Sequence, residues 1–167
     1  SATPDNFGIF DPVCAGTSVT LSGGGATSYV WTGGVTNGVS FNPTSTRSYT
    51  VTGTDANSCS NTAVITVTVN SLPTVTAHTT ANQICSGNSV TLSGGGATSY
   101  SWSHSVTDGV SFSPTSTVNY TVTGTDGNSC SNIAVITVTV NPLPNVTANA
   151  DDNRVCIGTS VTLSGGG

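Results

Sequence analysis

The chain repeats itself every 71 residues, and that period constrains its fold more than any other feature. Cys14-Ala-Gly-Thr-Ser-Val-Thr-Leu-Ser-Gly-Gly-Gly25 returns as Cys85-Ser-Gly-Asn-Ser-Val-Thr-Leu-Ser-Gly-Gly-Gly96, and again as Cys156-Ile-Gly-Thr-Ser-Val-Thr-Leu-Ser-Gly-Gly-Gly167. The offsets agree, 85 − 14 = 71 and 156 − 85 = 71, and a second cysteine keeps step with 130 − 59 = 71. Residues 14–78 and 85–149 differ at 15 of 65 positions without a gap. A period this long, held without insertions, marks an array of whole small domains rather than an enzyme built once. The expected division is 1–70, 71–141 and a partial third unit, 142–167, holding two strands. The 167 residues read as a window on a longer polypeptide, or as a subunit whose last unit another chain completes.

Within a unit, every apolar segment alternates with period two and none has helical period. Val19 and Leu21 share a face, as do Tyr29 and Trp31, Val39 and Phe41, Tyr49 and Val51, and Ile65, Val67 and Val69. The intervening positions are largely Thr and Ser, which suit a strand by β-branching and tolerate water. Breaks fall at Gly-Gly-Gly, Asn42-Pro-Thr-Ser, Asp55-Ala-Asn-Ser and the Pro-containing junctions Asn70-Ser-Leu-Pro73 and Asn141-Pro-Leu-Pro144. Six or seven short strands follow, with Thr74–Ala77 as the first of the second unit and Val161–Leu163 as a strand of the third. A Trp on the third strand and a Tyr early in the sixth suit an all-β chain of immunoglobulin-like two-sheet sandwiches. The predicted core is Val19, Leu21, Tyr29, Trp31, Phe41, Tyr49, Val51, Ile65 and Val67 in the first unit. In the second it is Leu92, Tyr100, Trp102, Phe112, Tyr120, Val122, Ile136 and Val138. Short, proline-stiffened junctions predict end-to-end packing in a semi-rigid rod.

Composition narrows the partners. Charged residues make up 5% of the chain, with Arg47 and Arg154 the only Lys or Arg and a net charge of −5. No basic patch can neutralise phosphates, which argues against nucleic acid, and the negative balance argues against anionic lipid. No apolar run approaches the ~20 residues of a membrane span. Two cysteines recurring in phase, without a Cys-x-x-Cys pair, predict a disulfide framework and an extracellular location. Zinc is a poor alternative, because His78 and His104 each occur in one unit only.

Val-Cys-x-Gly-x-Ser-Val-Thr-Leu, Ala-Thr-Ser-Tyr-x-Trp, Phe-x-Pro-Thr-Ser-Thr, Tyr-Thr-Val-Thr-Gly-Thr-Asp-x-Asn-x-Cys and Asn-Pro-Leu-Pro, in this order, resemble the immunoglobulin/PKD-like repeats of giant secreted proteins in Bacteroidota. Among these are gliding-motility adhesins exported by type 9 secretion. The resemblance begins at Val13. Residues 1–12 depart from it, with Pro4, Phe7 and Phe10 in place of the Val-Thr-Ala strand. It implies a segment of an extracellular filament or cell-surface adhesin that projects a distal binding region, with secretion or motility machinery and surface polysaccharide as partners beside the neighbouring repeats.

Two cysteine pairings compete. One bridge inside each unit would join Cys14 to Cys59 and Cys85 to Cys130. In an immunoglobulin-like sandwich, however, Cys14 precedes the second strand at one end, while Cys59 lies in a hairpin at the other. A seven-residue strand spans about 23 Å, and bridged Cα atoms must lie within about 7 Å. A head-to-tail array instead brings Cys14 of one unit to Cys130 of the next, and this pairing is favoured. Cys85 would then pair beyond residue 167 and Cys59 with a unit before residue 1, while Cys156 would have no partner within the chain.

Other candidates are weaker. Asp55 and Asp126 recur in phase and could join Asp151 and Asp152 around calcium. One carboxylate per unit is thin for a cation that wants six to eight oxygens, and Asp in a turn commonly caps its own backbone. No other cofactor is expected. Gly23-Gly-Gly25 lacks the Lys and the helix of a phosphate loop, and is read as a flexible connection. Trp31 and Trp102 would form a carbohydrate platform if exposed, but the alternation places them in the core. Asn119 and Asn145 match a glycosylation sequon. No nucleophile with a base and no paired carboxylates recur, so the expectation is not an enzyme. The alternatives to a filament are a glycan-binding module using the variable loops Thr32–Asn37 and Ser103–Asp108, the spacer of a secreted hydrolase, and self-assembly by strand exchange.

Overall fold

The structure is a computed structural model that describes residues 11–167; the departures at Pro4, Phe7 and Phe10 lie outside the described residues. The fold is all-β. Among the described residues the only helical turns are two three-residue 3-10 turns, Thr32–Gly34 and Ser103–Ser105. None of their helices is long and apolar enough to cross a membrane.

The first repeat holds β1 (Val13–Cys14), β2 (Val19–Thr20), β3 (Ser28–Trp31), β4 (Ser40–Phe41), β5 (Arg47–Thr54), β6 (Ser60–Val67) and β7 (Val69–Asn70). The second holds β8 (Thr76–Thr79), β9 (Gln83–Cys85), β10 (Val90–Gly95), β11 (Ser99–Trp102), β12 (Ser111–Phe112), β13 (Val118–Thr125) and β14 (Ser131–Asn141). A final pair, β15 (Thr147–Ala150) and β16 (Leu163–Gly166), belongs to the third. In the second repeat one sheet runs β12-β10-β8 and the other β11-β13-β14-β9. The first repeat shows the same neighbours where its strands are formed, β2-β4, β3-β5-β6 and β1-β7.

Thr-rich alternation builds these sheets because β-branched residues fit a pleated surface whose other face is buried. Ile84, Val90, Leu92, Trp102, Tyr120, Val122 and Val138 are buried together in the second repeat, with Tyr100, Phe112 and Ile136 packed against them. Val13, Val19, Leu21, Tyr49 and Val67 are buried together in the first, with Trp31, Phe41 and Ile65 packed at their edge. Phe112 meets Tyr120 edge-on at 5.4 Å between ring centres, and Phe41 meets Tyr49 at 5.3 Å.

Four details differ from the sequence expectation. The first strand of the second repeat is Thr76–Thr79 rather than Thr74–Ala77, and the chain then crosses to the other sheet as β9. There Val140 lies opposite Ile84 in a parallel pair, as Val69 lies opposite Val13 in β1. This places Val13 and Ile84 in the cores, which alternation alone did not reveal, because a parallel partner far along the chain leaves no local hairpin signal. Secondly, Gly23–Gly25 lie outside any strand, as a connection would, whereas their counterparts Gly94 and Gly95 are strand residues of β10. A Cβ at Gly94 would lie 2.2 Å from Tyr100 Cδ1, so the glycine is what lets the ring lie against the strand. Thirdly, the strand expected at Val161–Leu163 begins at Leu163. Lastly, Tyr29 and Val51, placed in the core by their alternation, are half-buried and line an open groove. Among the described residues no strand covers that side of the first repeat.

Candidate functional site

The candidate site is the junction between the two repeats. Cys14 ends β1, and Cys130 closes the turn between β13 and β14. The two form a disulfide with Cα atoms 5.5 Å apart. The alternative bridges Cys14–Cys59 and Cys85–Cys130 are not formed; Cys59, Cys85 and Cys156 are exposed free thiols. Crossing 116 residues of sequence, the bridge removes loop-closure entropy worth about 5 kcal/mol in the chain-entropy account.

The turn that presents Cys130 is built locally. Asp126 Oδ1 accepts from the amides of Asn128 (2.9 Å) and Cys130 (2.9 Å), and Asp126 N donates to Cys130 O at 2.9 Å. Ser129 takes the left-handed conformation this reversal needs, at φ 62°. Asp55 makes the same bonds to Asn57 and Cys59 at 2.8 and 2.9 Å, with Ser58 at φ 64°. Both aspartates are therefore occupied in holding a cysteine turn. Among the described residues, no three His, Cys, Asp or Glu side chains group to hold a metal ion. Asp151 lies elsewhere, accepting from Thr162 N at 3.0 Å between β15 and β16. That backbone bond holds its carboxyl below the usual carboxylate range. Asp152 accepts from Arg154 N at 2.9 Å.

A second tie follows the linker. Asn132 Nδ2, at the start of β14, donates to Pro73 O at 3.1 Å, and Pro73 is buried. The chain then lays Val75 against Gly124, where a Cβ would lie 2.7 Å from Val75 Cγ2. From Thr76 it pairs antiparallel with β10, Thr76 opposite Gly95 and Thr79 opposite Leu92.

The loops weighed as a glycan surface are tied to the framework. Trp102 Nε1 donates to Asp108 Oδ1 at 2.8 Å, and Gly94 N donates to the same oxygen at 2.7 Å. In the first repeat Asn37 Oδ1 accepts from Trp31 Nε1 (3.0 Å) and Gly23 N (2.7 Å). The Asn/Asp variation thus preserves the one oxygen both bonds need. Thr32 Oγ1 and Ser103 Oγ accept from Thr50 N and Thr121 N at 2.9 and 3.0 Å. Trp102 is buried, and Trp31 is half-buried and lines the open groove. His104 packs edge-on to Tyr120 at 5.5 Å, and His78 Nε2 lies 3.0 Å from Thr76 Oγ1. The phenol of Tyr120 is pushed up in pKa by burial.

The open groove is what sequence reasoning missed. It has a volume of ≈ 550 Å³ and runs along Gly23–Gly25, Tyr29, Gly53, Asn61 and Ala63 to Cys59. The same residues recur in the second repeat, where β8 and Val75 lie over them; the matching positions of the first repeat, 4–8, lie outside the described residues. No protein-family model matches the chain, and no curated protein matches it in sequence.

Proposed function

We propose that the chain is a structural segment of a long extracellular filament or cell-surface adhesin, built of immunoglobulin-like sandwiches arranged end to end. Residues 1–70 and 71–141 are successive units of it, and 142–167 begin a third. Its work is to hold a distal binding region away from the cell surface, and the neighbouring repeats are its first partners. The observation that carries this reading is the Cys14–Cys130 bridge, which ties a strand of one repeat to a turn of the next. A bridge there opposes swivelling at the junction, and the Asn132–Pro73 bond adds a second restraint at the linker. The disulfide is also compatible with an oxidising, extracellular setting. A surface of Thr, Ser and Asn with 5% charged residues keeps the contacts between units nearly independent of ionic strength.

The test combines peptide mapping under non-reducing conditions with small-angle X-ray scattering. The expected result is a Cys14–Cys130 peptide and one sharply defined maximum dimension, which broadens on reduction. Recovery of a Cys14–Cys59 peptide instead would leave the repeats as beads hinged at Asn-x-Leu-Pro and sink the rigid-rod reading.

A further inference from the structure

The Cys14–Cys130 bridge restrains the junction, and it also changes where tension travels. A pull that enters the chain ahead of Cys14 and leaves it after Cys130 has two covalent paths between those residues. One follows the main chain through residues 15–129; the other crosses a single disulfide, with Cα atoms 5.5 Å apart. Drawn out, the main chain between them, a separation of 116 residues, would reach about 400 Å. The disulfide is therefore taut long before the main chain is. Strands β2 to β13 all lie on the slack path. So does every residue buried in the two core clusters other than Val13 and Val138.

The taut path has little length to give. From Cys130 it runs directly into β14 (Ser131–Asn141), which is already extended, at about 3.4 Å per residue against a limit of about 3.6 Å. Work done on a fold is force times displacement, so a strand that barely lengthens passes tension along itself and delivers little to its neighbours. β14 is held on both edges, by β13 from Val118 opposite Val138 to Thr125 opposite Ser131, and by β9 from Gln83 opposite Thr139 to Cys85 opposite Asn141.

Without the bridge the same pull must cross each repeat. It would reach β1 in the first and leave at β7, which pair in parallel with Val13 opposite Val69 and Cys14 opposite Asn70. Parallel strands drawn from opposite ends are sheared, and the bonds Val13 N to Thr68 O (3.0 Å) and Ala15 N to Asn70 O (2.9 Å) are loaded together. In the second repeat β9 and β14 stand in the same relation, through Ser86 N to Asn141 O at 2.8 Å and Thr139 N to Asn82 O at 2.9 Å. Once such a pair slips, the core behind it opens.

We infer that the bridge is a load bypass: tension along the chain runs through Cys14, the disulfide and β14, and both sandwich cores stay folded under forces that unfold the reduced chain. The inference deepens the filament reading and rests on its end-to-end bridge. It makes the junction a load-bearing element of the filament as well as a stiffener.

The test is single-molecule force spectroscopy on the full chain, held at its two termini, with Cys59→Ser, Cys85→Ser and Cys156→Ser so that Cys14 and Cys130 are the only cysteines left. The bridged chain is expected to reach a limiting extension about 400 Å short of the same chain when reduced. It is then clamped at a force that unfolds the reduced chain within seconds, and dithiothreitol is added, which opens the disulfide to two thiols and itself becomes the cyclic disulfide. With the cores intact, opening is expected to give a short step followed, after a delay, by separate steps as each repeat unfolds. A single immediate step of about 400 Å would mean that the cores had already been torn while bridged. That result would overturn the bypass and leave the end-to-end bridge standing. Equal limiting extensions before and after reduction, with no Cys14–Cys130 peptide recovered, would sink the bypass and the end-to-end reading together.

Discussion

Over the described residues the first and second repeats carry nearly the same sequence, and they differ in that the positions matching β8 in the first repeat, 5–8, lie outside them. In the second repeat β8 lies along β10, Gly94 and Gly95 are strand residues, and Trp102 is 6% exposed. In the first repeat β2 stops at Thr20, Gly23–Gly25 belong to no strand, and Trp31 is half-buried. The fully buried centre barely changes, with Leu21 and Leu92 at 1% and 0%. The buried centre is therefore set by the hairpin strands, and in the second repeat β8 completes the flank. That makes the junction part of the core, and it explains why tie and cover occur together.

The comparison can be broken most severely at the bridge. Cys14→Ser should lower stability by up to about 5 kcal/mol. Calorimetry should then resolve two transitions, the first repeat melting below the second; a single unshifted transition would contradict this account. Paired glycine substitutions sharpen the comparison further. Gly25 and Gly96 have nearly the same backbone, φ +85° and +82°, so the left-handed strain of alanine cancels between them. Gly96→Ala must also displace Thr74, and chemical denaturation should show it costing about 2 kcal/mol more than Gly25→Ala. Equal costs would mean that β8 does not close the second repeat.

A smaller effect is expected at Asp108. Asp108→Ala removes the acceptor shared by Trp102 and Gly94 and should cost about 1–2 kcal/mol. Asp108→Asn should lie within about 0.5 kcal/mol of the parent, because Asn37 already serves that role in the first repeat. The smallest effect concerns acid. The Asp151 carboxyl has its pKa lowered in the folded hairpin, so its contribution is present above the ordinary carboxylate range and is lost as pH falls from about 4 through the lowered value. The Thr162 amide resonance should shift over that interval while those of β10 and β13 stay still. Movement of all three together would place the effect in the sandwich instead.

Much of this was legible beforehand. Two-residue alternation in Tyr49-Thr-Val51 and Ile65-Thr-Val67 specifies strands and their inward faces, because successive side chains on a strand point to opposite sides. The cysteine phase, combined with the length of a strand, sufficed to prefer Cys14–Cys130 over a bridge within one repeat. The half-exposed Val51 was not legible, since its counterpart Val122 is fully buried, and nor was the half-burial that Tyr29 and Tyr100 share. Nor were β1 and β9, whose parallel partners lie at the far end of the same repeat.

The sequence by itself determined the period, the strands of each hairpin and the residues these bring to each buried centre, Val13 and Ile84 excepted, since these follow from side-chain alternation and turn chemistry within a few residues. Only the tertiary structure decided which thiols remain free and, among the described residues, which glycines are crowded. The thiols depend on a partner cysteine 116 residues away, and the crowding at Gly95 and Gly96 depends on β8 lying along β10; side-chain alternation within one strand encodes neither.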